Sequence, residues 1–220
     1  MPALLVGVAF ANLIRGISLD HAGNYTGSFW DLLNPYALLG GVVTLLLCLA
    51  HGASFLQLRT VAPIKERAAA LGRILMPLAA LAVIGFVAWT FGETAHHSPG
   101  LWITSIVACV AMIAAAAFGV TGRAALAFIA GGLGIAMTVA TWFTALYPNV
   151  IVDSNDHAYN LTVFNAASNH YTLVVMTITA LVLVPIVLIY QIWTYYVFRQ
   201  RVGLGGSSAE PTPPKVSAGV

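Results

Sequence analysis

The sequence predicts an all-α, polytopic transmembrane helix bundle, and three observations carry that prediction. The chain is 60% hydrophobic and only 7% charged, a combination that no water-soluble domain sustains. Its apolar residues fall in runs long enough to cross the roughly 30 Å hydrocarbon layer as helices. Its basic residues concentrate in alternate connections between those runs. The formal net charge of +2 is too small to signal nucleic acid, and the partner implied is membrane lipid. Cys48 and Cys109 both lie inside expected spans, so cysteine usage points to no disulfide framework.

Residues 2–15 form an apolar segment ended by Arg15. At helical rise it measures about 21 Å, short of a full crossing, so it reads as a partial helix. A polar loop follows, with Phe29 and Trp30 where an interfacial aromatic belt belongs. The first full span, 36–58, opens at Pro35 and carries no Asp, Glu, Lys or Arg. Along one of its faces Gly41, Thr44, Cys48, His51 and Phe55 succeed each other at steps of three or four, with Gly52 beside His51. Such a stripe of small and polar groups lets a second helix approach closely and offers an imidazole a hydrogen-bond partner.

The connection holding Arg59, Lys65, Glu66, Arg67 and Arg73 leads to a second span, 74–92, and Glu93, His96 and His97 precede a third, 102–120. Thr121, Gly122 and Arg123 turn the chain into the fourth, 124–146, where Gly131, Gly134, Thr138 and Thr141 form another packing stripe. A polar stretch with Asp153, Asp156 and His157 separates it from the fifth, 172–197, which has Pro185 in its interior. Residues 1–200 read as one membrane-embedded domain, and the Gly, Ser and Pro-rich residues 201–220 as a disordered tail.

Arg59, Lys65, Arg67, Arg73, Arg123, Arg199, Arg201 and Lys215 share one side of this topology, and Asp20, Asp31, Glu93, Asp153 and Asp156 the other. The positive-inside rule makes the basic side, and with it the C-terminus, cytoplasmic. Arg15 alone disagrees.

The segments NPYALLGGVVTLLLCLAHGASFLQLRT (34–60), PALLVGVAFANLIRGI (2–17) and YPNVIVDSNDHAYNLTVFNAASNHYTLVVM (147–176) followed by VPIVLIYQIWTYYVF (184–198) together resemble subunit II of the cytochrome bd quinol oxidases. The resemblance extends from Pro2 to Arg199 and implies a four-helix bundle plus one peripheral helix, with the short leading segment as the end of the family's fourth helix. It implies a bacterial plasma-membrane protein, part of an oxidoreductase that passes electrons from quinol to dioxygen. The haem b and haem d of that complex, with the quinol-oxidising loop, are expected in a haem-bearing subunit I; a small single-helix subunit, lipid and quinone are further partners. Family members carry about four more helices ahead of this region, so a fragment, an internal start or a separately supplied first half is expected, and the family's proton-path residues have no counterpart here.

His51 is the one histidine within a span; His21, His96, His97, His157 and His170 fall in outer loops. An intramembrane ionisable group is a functional candidate. For His51 three readings stand open: packing at a helix interface, a proton-relay or quinone-headgroup contact, and haem ligation. Packing is favoured, because a bis-His site needs a second histidine at membrane depth and a His/Met site needs a methionine at the same level. No catalytic residue and no metal site is expected: His96 and His97 are adjacent and diverge, and the Asp153, Asp156, His157 spacing matches no calcium loop. A small secondary transporter or channel is the alternative, disfavoured by the uncharged midplane and the odd number of full spans.

Overall fold

Two of the long helices start where a side-chain cap and a proline suit the free N–H groups of the first turn. In the computed structural model, which describes residues 1–20, 24–94, 97–154 and 160–197, α1 spans Pro2–Arg15 and α2 Pro35–Arg59. The Asn34 side chain caps α2 by accepting the Ala37 N–H at 2.8 Å. Ser98 does the same for Leu101 at the start of α4, Pro99–Val120. In both helices proline takes the first position, where its missing N–H costs nothing. A Ser28–Asp31 capping box opens the 3-10 turn Phe29–Leu33 before α2.

The helix α3, Ile64–Glu93, begins ten residues earlier than the expected span at 74. Lys65, Glu66 and Arg67 end an apolar window but are good helix formers, so the helix continues past the apolar run. The expected span at 102 begins at Pro99, and the one at 172 begins at His170, in α6, His170–Val197. There the Asn169 Oδ1 accepts the Tyr171 N–H at 2.7 Å, and His170 joins the helix rather than the loop. The helix α5, Ala124–Leu146, keeps its expected bounds. Between α4 and α5, the Arg123 N–H reaches the Phe118 carbonyl and the Gly122 N–H the Gly119 carbonyl. That double closure needs a left-handed residue, and Gly122 supplies it at φ 77°.

Helix α2 packs on α3, α3 on α4, α4 on α5, and α5 returns to α2, closing a four-helix ring with α1 laid against α2. Among the described residues five helices, α2 to α6, are long and apolar enough to cross a membrane. Helix α6 stands outside the ring and buries no residue, the peripheral helix of the expected plan. The core is centred on Tyr36, which stacks on Phe86 at 5.1 Å and shares a 2.9 Å hydroxyl hydrogen bond with Thr90. Trp142 of α5 stacks on Phe10 of α1 at 5.0 Å and meets Phe86 edge-on.

The end of the bundle opposite the basic connections is tied by backbone pairing that the polar sequence there does not announce. Strands β1, Asn149–Ile151, and β2, Leu161–Thr162, form an antiparallel pair. Beside it Ile17 bridges to Asp153. Asp153 is fully buried, with its carboxylate accepting the Leu19 N–H at 3.2 Å and its own N–H donating to Asn160 Oδ1 at 2.8 Å. Asn12 and Asn34 join their side-chain amides at 2.8 Å and tie α1 to the start of α2. Removing a buried acceptor exposes its donors' full desolvation cost, so Asp153→Ala is expected to destabilise this end by about 1–3 kcal/mol. Thermal unfolding in detergent should show a lowered Tm for Asp153→Ala, with Asp153→Asn milder because it keeps an acceptor oxygen.

Arg15, the exception to the charge pattern, sits at this end with its guanidinium 4.0 Å from the Glu93 carboxylate. Pairing with an acid gives this basic residue a local partner on the acidic side. Both groups are partly exposed, so the pair contributes little to stability.

Candidate functional site

The two stripes expected from spacing do different things. Gly41 and Thr44 face α1. A Cβ at Gly41 would lie 2.8 Å from Val8 Cγ2, and the Thr44 hydroxyl donates to the Ala3 carbonyl at 2.7 Å. Two glycines not picked out from spacing complete this crossing: a Cβ at Gly7 would collide with the Gly40 carbonyl and the Thr44 hydroxyl, and one at Gly40 would lie 2.8 Å from Gly7 O. Ala3, Gly7 and Ala11, small residues four apart, were the available signal. On α5, Gly134 makes room for Met112, and Thr138 is buried with its hydroxyl turned back to the Gly134 carbonyl at 2.8 Å.

Further along α2 the stripe leaves the packed interior. Cys48 is exposed, and nothing lies within 4 Å of a Cβ placed at Gly52. Gly52 is therefore not at a close helix crossing within the described residues. Both residues instead line a cavity of about 710 Å³ between α2, α5 and the end of α6, with His51, Phe55, Phe128, Ile135, Arg59 and Tyr195.

His51 forms the wall of that cavity by stacking on Phe128 of α5, ring centroids 4.3 Å apart and planes 22° from parallel. Its Nδ1–Cε1 edge lies in a notch at Gly131 and Gly132, where added Cβ atoms would sit 3.5 Å from it. Nδ1 is buried there without a hydrogen-bond partner among the described residues. The contact between α2 and α5 is thus aromatic stacking over a glycine notch, not the hydrogen bond that a polar stripe suggests. At the far end the Arg59 guanidinium lies 5.9 Å from the ring centroids of both Phe55 and Tyr195, a cation–π arrangement.

This lining does not suit a haem held by two protein ligands. Where two protein side chains hold the iron they stand on opposite sides of the macrocycle, and Cys48 lies on the same wall as His51, three residues earlier. Tyr195, on the opposite wall, stands at the Arg59 end, about 12 Å along the helix from His51 at 1.5 Å per residue. Met76 meets α5 at the same notch, its methyl 3.4 Å from a Cβ at Gly131, which leaves no macrocycle-wide gap between it and Nδ1. Among the described residues no group of three or more His, Cys, Asp or Glu side chains could hold a metal ion. Of the outer-loop candidates, His97 shares a 3.0 Å hydrogen bond with the Phe91 carbonyl; His21, His96, Asp156 and His157, like Arg199, Arg201 and the tail 201–220, lie outside the described residues.

Residues 1–198 match the family described as cytochrome bd terminal oxidase subunit II. The chain is 38% identical over 205 residues to cytochrome bd ubiquinol oxidase subunit 2 of Bacillus subtilis (strain 168), an alignment covering 92% of this chain and 61% of the relative. It is 31% identical over 230 residues to the probable cytochrome oxidase subunit 2 of Haemophilus influenzae, with 89% and 61% covered. With cytochrome bd-I ubiquinol oxidase subunit 2 of Escherichia coli (strain K12) the identity is 32% over 238 residues, with 92% and 63% covered. The chain therefore spans about three-fifths of the length of these relatives.

Proposed function

The chain belongs to the cytochrome bd terminal oxidase subunit II family, and from that premise we propose that it serves as a membrane subunit of a quinol:dioxygen oxidoreductase in an aerobic respiratory chain. In this reading it supports and shields a haem-bearing subunit I in the bacterial plasma membrane. Haem b, haem d and the quinol-oxidising site belong to that partner. The observation that carries the reading is the family match over residues 1–198. The interior agrees with a structural role, since its buried polar groups, such as Tyr36 with Thr90, and Thr44 with Ala3, tie helices to one another. The match favours an oxidase subunit over the transporter or channel alternative. The test is co-purification: a tagged chain expressed with the haem-bearing subunit should bring down quinol oxidase activity, and recovery of the chain without that subunit would refute the assignment.

The orientation belongs to the same proposal. Lys65, Arg67 and Arg73 lie at the start of α3 and Arg123 at the start of α5, at one end of the bundle, which the positive-inside rule makes cytoplasmic. In a background with Cys48 and Cys109 replaced by alanine, a membrane-impermeant maleimide added outside should label a cysteine at exposed Thr26 and miss one at exposed Glu66. The opposite pattern would invert the topology.

A further inference from the structure

We propose that an anionic phospholipid, drawn from the leaflet at the basic end of the bundle, is seated with an acyl chain in the His51 cavity and its phosphate in the basic cleft beside it. The cavity of about 710 Å³ has more than twenty times the roughly 30 Å³ that a water occupies. Its walls are mostly apolar, with Phe55, Leu58, Phe128 and Ile135 among them. Water is poorly held by such a lining; a hydrocarbon chain suits it.

The headgroup end is marked by charge. Leu58 is shared with a second hollow of about 310 Å³, which is lined by Lys65, Arg123 and the first residues of α5. Basic hollows between transmembrane helices at the interface select anionic headgroups. Arg123 gives α5 no side-chain cap, so first-turn N–H groups add donors next to the two cations. The apolar cavity and the basic cleft therefore adjoin in the order of a lipid's tail and phosphate, an arrangement that a neutral amphiphile would use only in part. This inference does not depend on the oxidase assignment, because it concerns only the surface of this chain.

The experiment is native mass spectrometry of the full chain, in whatever assembly it purifies, stripped of lipid and titrated with dioleoyl phosphatidylglycerol or dioleoyl phosphatidylcholine. One phosphatidylglycerol should be held roughly 25-fold more tightly than phosphatidylcholine, about fivefold for each of the two cations. Lys65→Gln and Arg123→Gln should each weaken phosphatidylglycerol about fivefold and leave phosphatidylcholine unchanged. Gly52→Leu, which fills the cavity from a position with no close neighbour, should weaken both lipids. Dihexanoyl phosphatidylglycerol, with the same headgroup on short chains, should bind less well than the dioleoyl form in the unaltered protein. Equal retention of the two dioleoyl lipids would overturn the proposal, as would equal binding of the short-chain lipid. Displacement of phosphatidylglycerol by inorganic phosphate would reduce the cleft to a free-phosphate site and overturn it as well.

Discussion

Gly7→Leu is expected to abolish recovery of folded protein, because the α1–α2 crossing leaves no volume for any side chain at that position. The first atom added already collides with the Gly40 carbonyl and the Thr44 hydroxyl, and a backbone carbonyl cannot rotate away as a side-chain tip can. The helices must separate. Separation breaks the 2.7 Å hydrogen bond from Thr44 to the Ala3 carbonyl and strips packing from Val8 and Ala11, both buried. Overpacking a fitted interior costs about 1–3 kcal/mol and occasionally more, and here the obstacle is backbone on both sides. Gly40→Leu should behave alike, since its added Cβ meets Ala11 and the Gly7 carbonyl at 2.8 Å. Gly85→Ala is the control: no atom lies within 4 Å of its new Cβ, and a helix-interior glycine replaced by alanine gains about 0.5–1 kcal/mol. Fluorescence-detected size-exclusion of each variant gives the readout. A monodisperse Gly7→Leu peak at the yield of the unaltered protein would mean that α1 does not pack on α2 as described.

The contrast between Gly7 and Gly52 shows where sequence reading reached its limit. Fold class follows from composition and run length, and the ends of α1 and α4 were legible because Arg15 and the Gly122–Arg123 turn stop the apolar runs sharply. The start of α3 was not, because Lys65 to Arg67 end an apolar window while extending the helix. Spacing along α2 placed Gly41, Thr44, Cys48, His51 and Phe55 on one stripe with Gly52 beside it; Gly41 and Thr44 face α1, whereas Cys48 and Gly52 line the cavity. Which helix covers each part depends on the tilt of α1 and α5 across it, so the upper half closes on α1 and the lower half opens into a cavity. His51 was legible as the intramembrane imidazole. Its partner was not, since stacking on Phe128 depends on ring orientation and on a notch at Gly131 and Gly132 eighty and more positions along the chain. Arg59 read only as a charge that orients the topology, and its place over Phe55 and Tyr195 at the cavity mouth comes from the late helix α6. The β1–β2 pair was hidden because strands of three and two residues are too short to show a period.

The second large effect concerns the haems, and it is all or none. Expressed alone, the chain should give no haem absorption and no quinol oxidase activity. With its haem-bearing partner it should form a complex that gives both. Among the described residues His51 is the only histidine in the interior of a membrane-crossing helix; its Nδ1 is buried against the Gly131 notch and its ring is committed to Phe128. A haem held by two protein ligands needs donors on opposite sides of the macrocycle, and the described lining presents none opposite His51. Replacing His51 with Gln removes the imidazole, a normal iron ligand, and loses the ring stack. Its cost is confined to packing, on the order of 0.5–1.5 kcal/mol for the aromatic contact. The measurement is therefore the dithionite-reduced minus oxidised absorption spectrum of the assembled His51→Gln complex, normalised to subunit content. The account predicts every haem band of the unaltered complex at the same amplitude; loss of one band from an otherwise intact assembly would place a haem on this chain and contradict it.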